Sequence, residues 1–231
     1  MAKLAKTLKK THKHNTEDKM LEYYYKGTDY FEKNKNRVYT VLTVIVVLIV
    51  VVFVYFRNQG QKEETAALEL SKVKNIYAMD NYQSAINGDS LGISKGLQFI
   101  VDNYGSTESG ETAKLMLANS FYNLRDFDKA EKYYKEYSGK NELFKSAALA
   151  GIASVYETKG DWKSAAQYYE KASKVSKNVP NNDEYVFYAI RSYFNAKDND
   201  NLNKVIKSFK TEFPKSKFLG QLARYDNGEN S

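Results

Sequence analysis

Catalysis needs a nucleophile, a titratable acid or base, or a bound metal, and this 231-residue chain is poor in all three. Its two histidines, His12 and His14, flank Lys13 in a lysine-rich N-terminal stretch, and the further ligands of a zinc site are missing there. There is no cysteine, which removes disulfides, thiol nucleophiles and most zinc patterns. No Gly-rich phosphate loop occurs, and no histidine follows His14 to activate a serine. Paired carboxylates are the remaining device, since Glu131, Glu136, Glu157 and Glu170 could meet in space. Acidic residues so placed are also what the solvated faces of amphipathic helices look like, and that is the reading adopted here. The sequence therefore predicts no enzyme, no cofactor, no metal and no small-molecule substrate.

The elements around these residues explain why. Residues 38–56 form a run of nineteen without charge, Gly, Pro, Asn or Gln, bracketed by Arg37 and Arg57. As a helix the run covers roughly 28 Å, close to the ~30 Å hydrocarbon core of a bilayer. Fifteen of its residues are Val, Ile, Leu or Phe, worth on the order of −5 kcal/mol on insertion. Its valines would favour a strand in water, but a lone strand in lipid leaves its peptide groups unpaired. Tyr39 and Tyr55 sit one step inside the two ends, where amphipathic rings prefer the headgroup boundary.

Residues 1–37 carry ten Lys and Arg, against four in the twenty residues after the span. That bias keeps the N-terminus in the cytoplasm. The charged leader is long for a signal peptide and no small-x-small cleavage site follows, so an uncleaved anchor is predicted. Of the net charge of +7, five units lie before the span, which speaks for topology and anionic lipid rather than for nucleic acid. No Asn-x-Ser/Thr sequon is present, in keeping with a bacterial periplasm on the far side.

Beyond the span the apolar residues recur at helical spacing and only Pro180 and Pro214 interrupt, so an all-α domain is predicted. Two segments match each other, 121–130 and 156–165, with Ala130 and Ala165 each followed by a tyrosine pair, Tyr133-Tyr134 and Tyr168-Tyr169. The pattern resembles the tetratricopeptide repeat, a helix-turn-helix unit of about 34 residues. Ala153, Tyr156, Gly160, Ala165, Tyr169 and Ala172 fall on its small and aromatic positions. Weaker copies flank these, and taking Gly96, Ala130, Ala165 and Val205 as equivalent gives four helix pairs. The first helix is expected over about 65–87, and a capping helix over about 216–225. The predicted organisation is a basic leader at 1–37, a single transmembrane helix at 38–56, a linker at 57–64, an α-solenoid of tetratricopeptide repeats at 65–227 and a tail at 228–231.

The arrangement as a whole resembles the YfgM-like, membrane-anchored tetratricopeptide proteins of bacteria. The resemblance rests on the leader ending at residues 30–37, one span, Ala66-Ala67 and a long helix running into Asn87-Gly88-Asp89. It implies a non-catalytic scaffold in the inner membrane, ancillary to the Sec translocon, with translocon subunits, a periplasmic chaperone or emerging secreted chains as partners. The helix ends at 104–107 and 213–216 are shared with repeat proteins of outer-membrane and cell-envelope assembly, the alternative. Mapping the family's groove positions picks Asn119, Tyr122 and Asn123, then Ser154, Glu157 and Thr158, then Arg191, Phe194 and Asn195. Asn119 and Asn123, one turn apart, are expected to pair with the backbone of an extended ligand. The lysine-rich carboxylate clamp of chaperone-binding repeats is absent from this mapping, so a free C-terminus is not the expected ligand. In the leader, Met20, Leu21, Tyr23, Tyr24, Tyr30 and Phe31 suggest one side of a helix, lying either on the inner leaflet with Lys19, Lys26 and Lys33 at phosphates or on a channel subunit.

Overall fold

The computed structural model describes residues 2–225, with side chains from 19 onward; the expected metal-free pair His12 and His14 and the tail at 228–231 lie outside the described side chains. The described chain is helical without strands, and it divides into two compact units, Met1–Asn58 and Gln59–Ser231. Helix α1 is assigned to Ala2–Ala78, with one residue of non-helical geometry, Asn34. Within it lies the one described segment long and apolar enough to cross a membrane.

The second unit continues with α2 (Tyr82–Asn87), α3 (Gly96–Tyr104), α4 (Glu108–Asn123), α5 (Phe127–Glu136), α6 (Glu142–Thr158), α7 (Trp162–Ser173), α8 (Asn182–Asn195) and α9 (Asn199–Glu212). Consecutive helices pack on one another from α2 through α9. One turn design recurs between partners. A residue in the left-handed region is followed by an Asx residue whose side chain accepts from a backbone N–H in the next helix: Asp80-Asn81, Arg125-Asp126, Gly160-Asp161 and Lys197-Asp198. The left-handed residue stops the first helix and the Asx oxygen satisfies an orphan donor of the second. In the last three turns the Asp N–H also reaches back to the carbonyl of Phe121, Tyr156 or Tyr193, closing the helix end.

Four residues after each cap lies a fully buried side chain, Ala85, Ala130, Ala165 or Leu202. These are the equivalent positions. The assignment of Gly96 and Val205 to that register is corrected: Val205 is only partly buried, and Gly96 opens α3 rather than a helix paired across a turn. The expected single helix over 65–87 is likewise two helices, because Asp80 turns left-handed (φ 58°) and Asn81 starts α2 anew. At the far end the cap is shorter and tighter than expected, a 3₁₀ helix at Leu219–Arg224 that buries Leu222 and lies beside the stacked rings of Phe187 and Phe218.

The core runs along the stack as three clusters of buried residues, bridged by the partly buried Leu149, Tyr168 and Tyr188. Ala66, Leu70 and Val73 of α1 join Ala85, Leu97, Ile100, Ala113 and Leu117 in one cluster that extends to Ile152 and Val155. Close helix approach depends on small residues. A Cβ on Gly110 would lie 1.9 Å from the Tyr104 carbonyl oxygen, and one on Gly151 would lie 2.4 Å from the Tyr134 ring.

Candidate functional site

Helices α4, α6 and α8 carry the nine expected groove residues on their C-terminal halves. The structure draws three of them, Ser154, Glu157 and Arg191, into one polar network centred on Glu157. Arg191 Nη2 donates to both carboxylate oxygens at 2.9 and 3.0 Å, Ser192 Oγ donates at 2.9 Å, and the Tyr169 hydroxyl donates at 3.2 Å. Ser154 and Tyr169 share a hydrogen bond of 3.0 Å. One repeat earlier the Tyr134 hydroxyl donates to Asn119 Oδ1 at 2.6 Å. Both tyrosines lie fifteen residues after their partners, so the link is a repeated one.

Electrostatics follow from this packing. Burial opposes the charge on Arg191, but the hydrogen bonds and charge of Glu157 outweigh it and hold the guanidinium above its ordinary value. Burial, then the Glu157 charge, raises the Tyr122 hydroxyl. Burial raises Tyr134 and Tyr169 further, so these phenols donate and do not ionise at neutral pH. The Glu157 carboxylate, accepting four hydrogen bonds from three residues, is spent on joining α6, α7 and α8.

The expectation that both asparagines are free for a ligand is corrected on the same ground. Asn119 Oδ1 is taken by Tyr134, and Asn123 Nδ2 donates to the Asn119 carbonyl at 2.8 Å. Thr158 bonds the carbonyl of Val155. What stays available among the described residues is the Tyr122 hydroxyl with part of its ring, Asn123 Oδ1, the remaining N–H groups of the half-exposed Arg191, the exposed amide of Asn195 and the edge of Phe194. Tyr122 meets Phe127 edge to face at 5.5 Å and Phe194 meets Tyr225 at 5.4 Å, so both rings are held in place. The exposed part of this face is therefore made of aromatic edges held in place beside amide and guanidinium donors.

Sequence reasoning missed the residues that tie this face together, Tyr134, Tyr169 and Ser192. The signal was present in the 35-residue spacing of Glu157 and Ser192, which places one above the other in successive repeats. It also missed two carboxylate clasps. Glu63 accepts from the N–H and hydroxyl of Ser109, and Glu111 does the same for Ser138 while pairing with Lys114 at 2.8 Å. Burial pushes each carboxyl up, but these bonds prevail and leave both below the usual glutamate range. A cleft of about 460 Å³ opens beside Glu111, lined by Tyr137, Lys140 and Phe144.

A family profile described as a tetratricopeptide repeat-like domain matches residues 28–183, well over half of the chain. No curated protein and no solved structure matches it.

Proposed function

This chain belongs to the tetratricopeptide repeat-like family, and on that premise we propose that it is a membrane-anchored, non-catalytic scaffold for protein–protein interaction. The observation that carries the anchor is the exposure of the apolar run: its large side chains from Val41 to Phe56 expose between 46% and 68% of their surface. An uncovered apolar surface of that extent belongs in lipid rather than water. With ten basic residues before the run and four in the twenty after it, the N-terminus faces the cytoplasm and the repeats stand in the periplasm of a bacterial inner membrane. The repeat domain presents the face around Tyr122, Asn123, Arg191, Phe194 and Asn195 to an extended segment of a partner. The likeness of the whole arrangement to YfgM-like proteins supports a place beside the Sec translocon, with a periplasmic chaperone or an emerging chain as the ligand.

Crosslinkers incorporated in cells at Tyr122 and Asn195 should capture a periplasmic chaperone or secreted proteins, and one at Lys62 a channel subunit. Capture of outer-membrane assembly factors instead would favour the envelope-assembly alternative. Full retention of the Asn195 crosslink after joint change of Tyr122 and Asn123 to Ala would refute the face itself. In vesicles with the cytoplasmic side out, protease should trim only the leader; loss of the repeat domain would invert the topology.

A further inference from the structure

The segment before the apolar run carries two stripes of identical spacing. Met20, Tyr24, Gly27 and Phe31 follow one another at i, i+4, i+7 and i+11, and so do Glu22, Lys26, Asp29 and Lys33. An offset of two residues is about 200° around a helix, so the stripes lie on opposite sides. Tyr23 and Tyr30 widen the first stripe. The polar stripe is neutralised along its own length by Lys26–Glu22 and Lys33–Asp29, each at 2.7 Å with the acid one turn N-terminal to the base. The aromatic side is bare: Met20, Tyr23, Tyr24 and Tyr30 are between 66% and 75% exposed.

Helical geometry then fails at one residue. Asn34 adopts φ −120° and ψ 16°, and its side chain donates to the Tyr30 carbonyl at 3.0 Å. The apolar run begins four residues later at Val38. Across the break Phe31 meets Tyr39 edge to face at 5.8 Å, which makes the aromatic side of the leader continuous with the entry of the span. A helix lying in the membrane plane must change direction before another crosses it, and a non-helical residue between them is what permits this.

We propose that residues 19–33 form an interfacial helix whose Met20–Tyr24–Phe31 side sinks into the headgroup boundary of the leaflet that the span enters, with Asn34 as the bend. The occupant of this face is lipid. An apolar side of Met20, Tyr24 and Phe31 opposite a charged one that bears Tyr25 as its one exposed ring, aromatic rings in place of aliphatic bulk, and Lys35 and Arg37 next to the bend all match an anionic interface. The inference rests on the reading of residues 38–56 as a span.

The test exploits the absence of native cysteine. Tyr24→Cys, Lys26→Cys and Ile45→Cys each carry one environment-sensitive fluorophore on the full chain, reconstituted in vesicles of phosphatidylcholine and phosphatidylglycerol. Lipids spin-labelled near the headgroup should quench the Tyr24 site about threefold more strongly than the Lys26 site. Deep-labelled lipids should quench Ile45. Equal quenching at Tyr24 and Lys26 overturns the proposal. So does a Tyr24 site shielded in native membranes yet open to aqueous iodide in the pure-lipid vesicles, the mark of a protein partner on this face. If Ile45 escapes the deep label, the span fails too; if Ile45 is quenched and Tyr24 is not, only the interfacial helix fails.

Discussion

The first helix pair and the central pairs start from the same turn and diverge in the helix beyond it. After Arg125-Asp126 and after Gly160-Asp161 the second helix runs on without a break as α5 and α7. After Asp80-Asn81 it stops at Asn87, the chain makes an excursion over residues 88–95, and helix resumes at Gly96. Yet the core does not register the interruption: Ala85 and Ile86 before it and Leu97 and Ile100 after it are all buried in one cluster. The excursion closes on itself. Asp89 Oδ1 accepts from the N–H of Ile93 and Ser94, and the backbones of Gly88 and Gly96 touch. Leu91 and Ile93 are left exposed on its outside, at 80% and 61%. A repeat is thus specified by its turn and its buried positions, while helix continuity between them is dispensable where two glycines can meet.

That claim fails first if the neck formed by the glycines is unimportant. A Cβ on Gly96 would stand 2.4 Å from both the Gly88 nitrogen and the Ile86 carbonyl oxygen, at φ +86°. Backbone cannot retreat as a side-chain tip can, so Gly96→Ala should destabilise by about 3 kcal/mol or more. Hydrogen exchange of the full chain in detergent should then show α2 and α3 opening, with α6 and α7 protected. Exchange unchanged in α2 and α3 would mean that the excursion is not closed there.

The central pairs have their own critical point. Glu157→Ala strips Arg191, Ser192 and Tyr169 of a shared acceptor. Because Arg191 is 38% exposed and can turn to water, the expected loss is about 2 kcal/mol. Denaturant unfolding followed by the fluorescence of Trp162, the one tryptophan, measures it. Glu157→Gln keeps the shape and should lose less.

How far these features could be read from the sequence depends on where the partners of each residue lie. The central repeats were legible because Ala153, Gly160, Ala165 and Tyr169 sit at set distances within one helix pair, and all but the glycine are buried as that pattern requires. The break at Asp80 was not, since residues 65–87 keep helical periodicity and only an Asp-Asn pair marks the turn. Gly96 misled for a related reason: a small residue before an apolar run aligns with Ala130 and Ala165, whereas it opens α3 and the buried small position is Ala85 of α2, which only tertiary contact reveals. The nine proposed groove positions fall on α4, α6 and α8, and several are less free than their pattern along one helix face suggests. Asn119 is bonded from fifteen residues away and Glu157 from thirty-four and thirty-five, beyond the reach of a reading made along one helix face.

Gly160 supplies the control for Gly96. It too has a left-handed backbone, φ +76°, but a Cβ there would meet nothing within 4 Å. Arg125 and Lys197 hold the same conformation at the matching turns with full side chains. Gly160→Ala should therefore cost only about 1 kcal/mol, the intrinsic penalty of a left-handed residue bearing a Cβ. A loss as large as that of Gly96→Ala would show that the turn, rather than the contact, decides both.

The smallest effect concerns a link that the first pair lacks. Glu131, one residue after the buried Ala130, accepts from Lys135 in its own helix and from Lys159 at the end of α6 at 2.7 Å, so it ties the second pair to the third. In the first pair the corresponding residue is Ile86, which is apolar and buried. Hydrogen bonds from Lys135 and then Lys159 bring the Glu131 carboxyl from its ordinary 4.5 down to about 2. A carboxyl depressed by folding adds stability that is complete above its unfolded value and fades as pH falls through the folded one. Its contribution is therefore present above about pH 4.5 and is lost on going down towards about 2. Solvent screens the cluster, with Lys159 37% and Asp128 91% exposed, so less than about 1 kcal/mol is at stake. Glu131→Gln should leave the acid limb of the unfolding curve shallower between those two pH values, while the clasps of Glu63 and Glu111 act equally in both proteins. Identical acid limbs for the two proteins would show that the Lys159 contact carries no stability and that α5 and α6 are joined by apolar packing alone.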